Sequence, residues 1–114
     1  MAYDMNLADR IHQVLKAKNI LFEEKKMMGG LSYMVNDKMC IGIIKENMMI
    51  RVDPEIQDEL LKKPGCKIMD FTKRPMKGFL YVEPIALDLD VDLKIWIQYA
   101  LDYNPKAKSS KEKN

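Results

Sequence analysis

Apolar positions along this chain recur with two different periods. Leu7, Ile11, Val14 and Leu15 are spaced as one face of a helix, while Asp9, Arg10, Gln13 and Lys16 lie off that face. The spacing predicts an amphipathic helix over 5–18, capped by Asp4 or Asn6. The period then shortens. A brief apolar piece over 20–23 leads into Glu24, Lys25 and Lys26, and strands are expected over 31–35, 38–45 and 48–52. Asn36-Asp37 and Glu46-Asn47 read as tight turns between them, because Asn and Asp tolerate positive φ. Gly29-Gly30 marks a bulge or a close backbone approach.

Two-residue turns set a register. Met34 then pairs with Met39, Ile43 with Ile50, and Ile41 with Val52; with Met48 these form the face expected to meet the helices. The other face holds Leu31, Tyr33, Val35, Cys40, Gly42, Ile44, Met49 and Arg51. An antiparallel sheet normally leaves one face to water. This face is half apolar, which implies a second covering layer or a subunit contact.

Asp53-Pro54-Glu55 starts a second helix: a cap, a proline in the first turn and an acid facing the dipole. Ile56, Leu60 and Leu61 form its buried stripe, and Pro64-Gly65 closes it. A fourth strand is expected over 66–71 and a fifth over 79–82, with a loop over 72–78 between them. Leu93, Trp96, Ile97, Ala100 and Leu101 mark a last helix, capped by Asp88 or Asp90 and ended by Asn104-Pro105. The order α-βββ-α-ββ-α defines an α+β fold, a two-layer domain with a five-stranded antiparallel sheet and helices mainly on one face. No βαβ alternation supports a doubly wound nucleotide-binding fold.

A 114-residue chain with 47% hydrophobic residues suits one domain with a sizeable core, expected over 1–104. The lysine-rich remainder, 105–114, is expected to be a disordered tail. The net charge of +2 belongs to that tail: Lys106, Lys108, Lys111 and Lys113 against Glu112 give +3 and leave the body at −1. A nearly neutral body does not announce a phosphate-binding face. Cys40 and Cys66 stand far apart and outside any C-x-x-C pair, so no metal is expected; free thiols and no signal peptide point to the cytoplasm.

Candidate chemistry is sparse. His12 is the sole histidine, at the border of a helical stripe, where a structural role is the default. No G-K-[ST] follows Gly29-Gly30, which excludes a Walker loop. The acids Glu83, Asp88, Asp90 and Asp92 are too interrupted for a calcium loop. Among ten methionines, Met34, Met39 and Met48 read as core, while Met28, Met49 and Met76 read as partner contacts. Lys73, Arg74, Met76 and Lys77 lie between Phe71 and Phe79; a solvated connecting loop is the default reading, and it is also the best local candidate for binding an acidic partner. Cations beside aromatics also suit single-stranded nucleic acid, so direct nucleic-acid binding through this loop and the tail stands as the alternative.

Four stretches, MAYDMNLADRI, KKMMGGLSYMVNDKMCIGI, MDFTKRPMKGFLYVEP and DLKIWIQYAL, resemble the N-terminal domain of the TfoX/Sxy proteins, in order and over 1–103. The resemblance implies a two-layer α+β fold and a bacterial protein. It also implies a competence-type role in transcriptional regulation, exerted with a partner such as the cyclic-AMP receptor protein and without enzymatic chemistry. The longer family members carry a C-terminal helical domain that is not seen here. No catalytic residue and no cofactor is implied. The combined expectation is a non-enzymatic protein-interaction module. Its contacts are expected at Lys73, Arg74, Met76 and Lys77 and on the outer sheet face at Tyr33, Met49 and Arg51, with a homodimer formed through that face.

Overall fold

The computed structural model describes residues 3–27, 30–68 and 78–107. Helix α1, Met5–Ala17, is capped by Asp4, whose side chain accepts from the backbone N–H groups of Asn6 and Leu7. Its buried residues are the four of the predicted stripe. Six strands follow as β1 Glu23–Met27, β2 Gly30–Val35, β3 Lys38–Ile44, β4 Asn47–Arg51, β5 Cys66–Ile68 and β6 Phe79–Val82. They form one antiparallel sheet in the order β1-β2-β3-β4-β6-β5. The α+β class is as expected, but among the described residues the sheet has six strands rather than five. The missed strand is β1, whose sequence EEKKM has no apolar alternation because it lies at the sheet edge and is wetted along Glu23 to Lys26.

Asn36 and Asp37 take φ of 55° and 63°, the two positive values of a type I′ hairpin, and Met34 pairs with Met39 as expected. The next turn falls one residue earlier than expected, at Lys45-Glu46, where Lys45 has φ 56°. Ile41 therefore pairs with Ile50 and Ile43 with Met48, a slip of two positions that leaves the same side chains on the same face. An irregularity between Tyr33 and Met34 has a larger effect. Tyr33 pairs with Ile41 and Leu31 with Ile43, so both point at the helices. The assignment of Leu31, Tyr33 and Val35 to the outer face is thereby corrected: all three belong to the core cluster. A Cβ at Gly30 would run into the carbonyl oxygen of Ile43, so the close backbone approach is what this glycine serves.

Asp53 caps a 3-10 turn, Pro54–Ile56, by accepting from the Glu55 N–H, and α2, Gln57–Leu61, continues from it. Buried Gln57 accepts from the Gly78 N–H, tying α2 to the start of β6. Helix α3, Asp90–Tyr103, buries Leu93, Trp96, Ile97 and Ala100. Its N-cap is Leu89, not Asp88 or Asp90, and no side chain caps it. Arg10 instead reaches across from α1 to the carbonyls of Leu87 and Asp88 and to the Asp90 carboxylate at 3.1 Å.

The core lies between the sheet and helices α1 and α3, around Ile11, Leu15, Tyr33, Ile41, Ile43, Ile50, Leu80, Leu93 and Ile97. Met48 is in the core, while Met34 and Met39 are only half-buried. At the end of α3, buried Asn104 joins the β2–β3 hairpin. Its Nδ2 donates to the Val35 carbonyl, its Oδ1 accepts from Asn36, and its backbone carbonyl accepts from Lys38. Folded contacts reach Ala107, which is buried.

Candidate interaction surface

The outer sheet face is lined across the strands by Lys25, Ser32, Gly42, Met49, Tyr81 and Lys67. Met49 is on this face but buried; a Cβ on Gly42 would come within 2.6 Å of its Cε, so the methionine lies over the glycine. Arg51 is half-buried, with its guanidinium 5.4 Å from the Phe79 ring centroid. Tyr33 is fully buried on the opposite face and donates to the Ala8 carbonyl at 2.9 Å. Of the three outer-face residues expected to meet a partner, only Arg51 keeps substantial surface. Lys73, Arg74, Met76 and Lys77, with Met28, lie outside the described residues.

Among the described residues the titratable groups form no reactive cluster. Burial pushes the Cys40 thiol up to about 12 and the Cys66 thiol up to about 11, so both are neutral at ordinary pH. Burial, and then the charge of Glu24, hold the Tyr33 phenol well above its ordinary range. His12 Nδ1 lies 3.6 Å from Glu24 Oε2, and its ring packs edge-on against Phe22. This pair borders an open cleft of about 580 Å³ with Lys16, Asn19 and Leu21, and both side chains remain substantially exposed. Neither cysteine lines that cleft, and the Tyr33 hydroxyl is occupied by Ala8. Among the described residues no three His, Cys, Asp or Glu side chains lie close enough to hold a metal ion. No helix of the described residues is long and apolar enough to cross a membrane.

A different surface stands out. Beyond β6, Pro84 opens a 3-10 turn, Pro84–Ala86, that holds Ile85 out at 75% exposure. Gly65 lets the α2–β5 connection approach this turn: its φ is +82°, and an added Cβ would come within 2.9 Å of Ala86 Cβ. The Glu83 N–H donates to the Gly65 carbonyl, which fixes the approach. On α3, Val91 and Ile95 sit one turn apart, opposite the buried stripe, at 59% and 43% exposure. Leu89, just before the helix, is also exposed. A cleft of about 240 Å³ runs between these elements, lined by Pro64, Ile85, Ala86, Ile95 and Trp96, with Lys63 and Asp92 also on its wall. Trp96 stacks edge-on with Tyr99 at 5.9 Å. Four large exposed apolar side chains at this turn and on α3 amount to a few hundred Å², about the size of the largest apolar patch on a typical monomer, which is often functional.

The sequence carried a signal for this surface. Val91 and Ile95 form an i, i+4 apolar pair outside the stripe of Leu93, Trp96, Ile97 and Ala100. A helix with two apolar stripes has one more than a two-layer fold needs.

An antiparallel sheet carrying helices on one face, with an exposed apolar cleft at one end, defines a small α+β domain. The TfoX N-terminal domain family matches residues 18–103, and the chain belongs to that family. No curated protein and no solved structure matches the chain.

Proposed function

We propose that this domain is a protein-interaction module of the competence-type transcriptional regulators, working by docking another protein rather than by making or breaking bonds. The observation that carries this reading is the apolar cleft at Ile85, Ile95 and Trp96 with its exposed neighbours Leu89 and Val91. Asp92 and Lys63 lie on its wall, while Asp90 is held by Arg10 in the ion pair at the start of α3. A partner segment with one or two apolar anchors fits that chemistry. The family assignment supports a regulatory setting. Within it, the partner is a transcription regulator, and the protein acts in the cytoplasm.

The test is affinity capture with the full chain from its cells of origin, comparing the parent with Ile85→Glu/Ile95→Glu. A saturable partner retained by the parent and lost with the variant is expected. A Lys73/Arg74/Lys77 charge reversal reports separately on the basic loop. Titration against DNA and RNA at two salt concentrations completes it. Tight binding that weakens steeply with salt, in the parent and the Ile85/Ile95 variant alike, would replace this reading with direct nucleic-acid recognition.

A further inference from the structure

Strand β1 is the last strand at one end of the sheet. Among the described residues its backbone bonds go to β2 alone, so its outer edge presents unpaired N–H and C=O groups. Glu23, Glu24, Lys25 and Lys26 are all exposed. Charged residues commonly blunt such an edge, but here the signs are sorted: the acids come first and the lysines follow. We infer that β1 is the contact strand of a homodimer, in which a second copy adds its own β1 antiparallel and the two sheets become one.

Symmetry and charge select this arrangement. A twofold axis between antiparallel strands sets one residue opposite itself and places its neighbours across from each other. With the axis at Glu24, Glu23 faces Lys25 of the second copy on the outer face, and the reverse holds. With the axis at Lys25, Glu24 faces Lys26 of the second copy on the helix side. Either register makes two opposite-charge cross-strand pairs and leaves one like pair on the axis. The same strand added in parallel sets acid against acid and lysine against lysine along its length. Backbone groups supply the bonding, and the sorted charges fix direction and partner. A second observation lies at the same edge. Leu21, two residues before the start of β1, is 91% exposed, and an antiparallel neighbour would run alongside it.

This contact is independent of the cleft at Ile85 and Ile95. That cleft adjoins the α2–β5 connection, and β5 is at the other end of the sheet. The test is sedimentation equilibrium of the full chain at low salt over a range of concentrations, with Glu23→Lys/Glu24→Lys and Lys25→Glu/Lys26→Glu as variants. The parent is expected to approach twice its 13.3 kDa mass, with dissociation strengthening as salt rises. Each variant alone is expected to be monomeric, and an equimolar mixture to recover the dimer. Hydrogen exchange of those 23–26 amides that point away from β2 is expected to slow at least tenfold from low to high parent concentration. A parent that stays monomeric overturns the inference. So do variants that dimerise as the parent does, or a mixture that fails to recover the dimer while circular dichroism shows both variants folded. A dimer lost with Ile85→Glu/Ile95→Glu but kept by both charge variants would place self-association at the cleft and overturn the edge contact.

Discussion

Removing the Asn104 side chain tests how α3 is fastened to the sheet. Asn104 is 3% exposed, and its amide holds two bonds at once: Asn36 Nδ2 to its Oδ1 at 2.9 Å, and its Nδ2 to the Val35 carbonyl at 3.1 Å. A neutral hydrogen bond is worth about 1 kcal/mol net, so Asn104→Ala should cost about 2 kcal/mol. Asn36→Gly keeps the positive φ that the hairpin needs and removes only the amide, so it should cost about 1 kcal/mol. The two share one bond. The double variant should therefore fall short of additivity by about 1 kcal/mol. Urea unfolding followed by circular dichroism reads this directly, with a shift in midpoint of about 1–2 M for Asn104→Ala at an unchanged slope. A loss below about 0.5 kcal/mol, or full additivity, would refute the reasoning and leave the helix held by its apolar stripe alone.

Other consequences follow from the same contacts. Gly30→Ala sets a methyl group against the Ile43 backbone carbonyl, which cannot move without disturbing β3; a loss of about 2 kcal/mol or more is expected in the same urea assay. The thiols give an alkaline signature. Cys40 is pushed up to about 12 and Cys66 to about 11 from an ordinary 9.0, so the unfolded chain releases protons first as pH rises. Their contribution is complete below pH 9.0 and falls away toward 11 for Cys66 and 12 for Cys40. Stability should drop by about 1 kcal/mol per thiol between pH 9 and 10, and Cys40→Ala should flatten that slope. Ile85→Ser and Ile95→Ser should each leave the unfolding free energy within about 0.5 kcal/mol of the parent, because both side chains are already exposed.

The helices were the most legible part of the sequence. The α1 stripe and the buried face of α3 follow a 3.6-residue period that local spacing alone dictates. The Asn36-Asp37 hairpin was legible for a similar reason, since positive φ favours those residues. Pairing was less so. The irregularity at Tyr33/Met34 leaves no trace in hydrophobic pattern, yet it transfers Leu31, Tyr33 and Val35 to the core. Strand β1 was missed because an edge strand wetted along its length has no alternation to display. The N-terminus of α3 was misread because Asp88 and Asp90 look like caps locally, while a distant Arg10 secures that end. The exposed cleft was the hardest to foresee. Val91 and Ile95 fall outside the buried stripe of α3, but Ile85 has no periodic partner, and only three-dimensional placement shows it to be a surface anchor.

The most direct measurement is site-specific photo-crosslinking in the cells of origin. Ile85 and Ile95 are replaced one at a time by a benzophenone amino acid, with exposed Glu46 in the β3–β4 turn as the control. Docking at the cleft predicts one discrete protein adduct, the same from positions 85 and 95 and absent from 46. Adducts that are equal at all three positions, or none above background at 85 and 95, would contradict it.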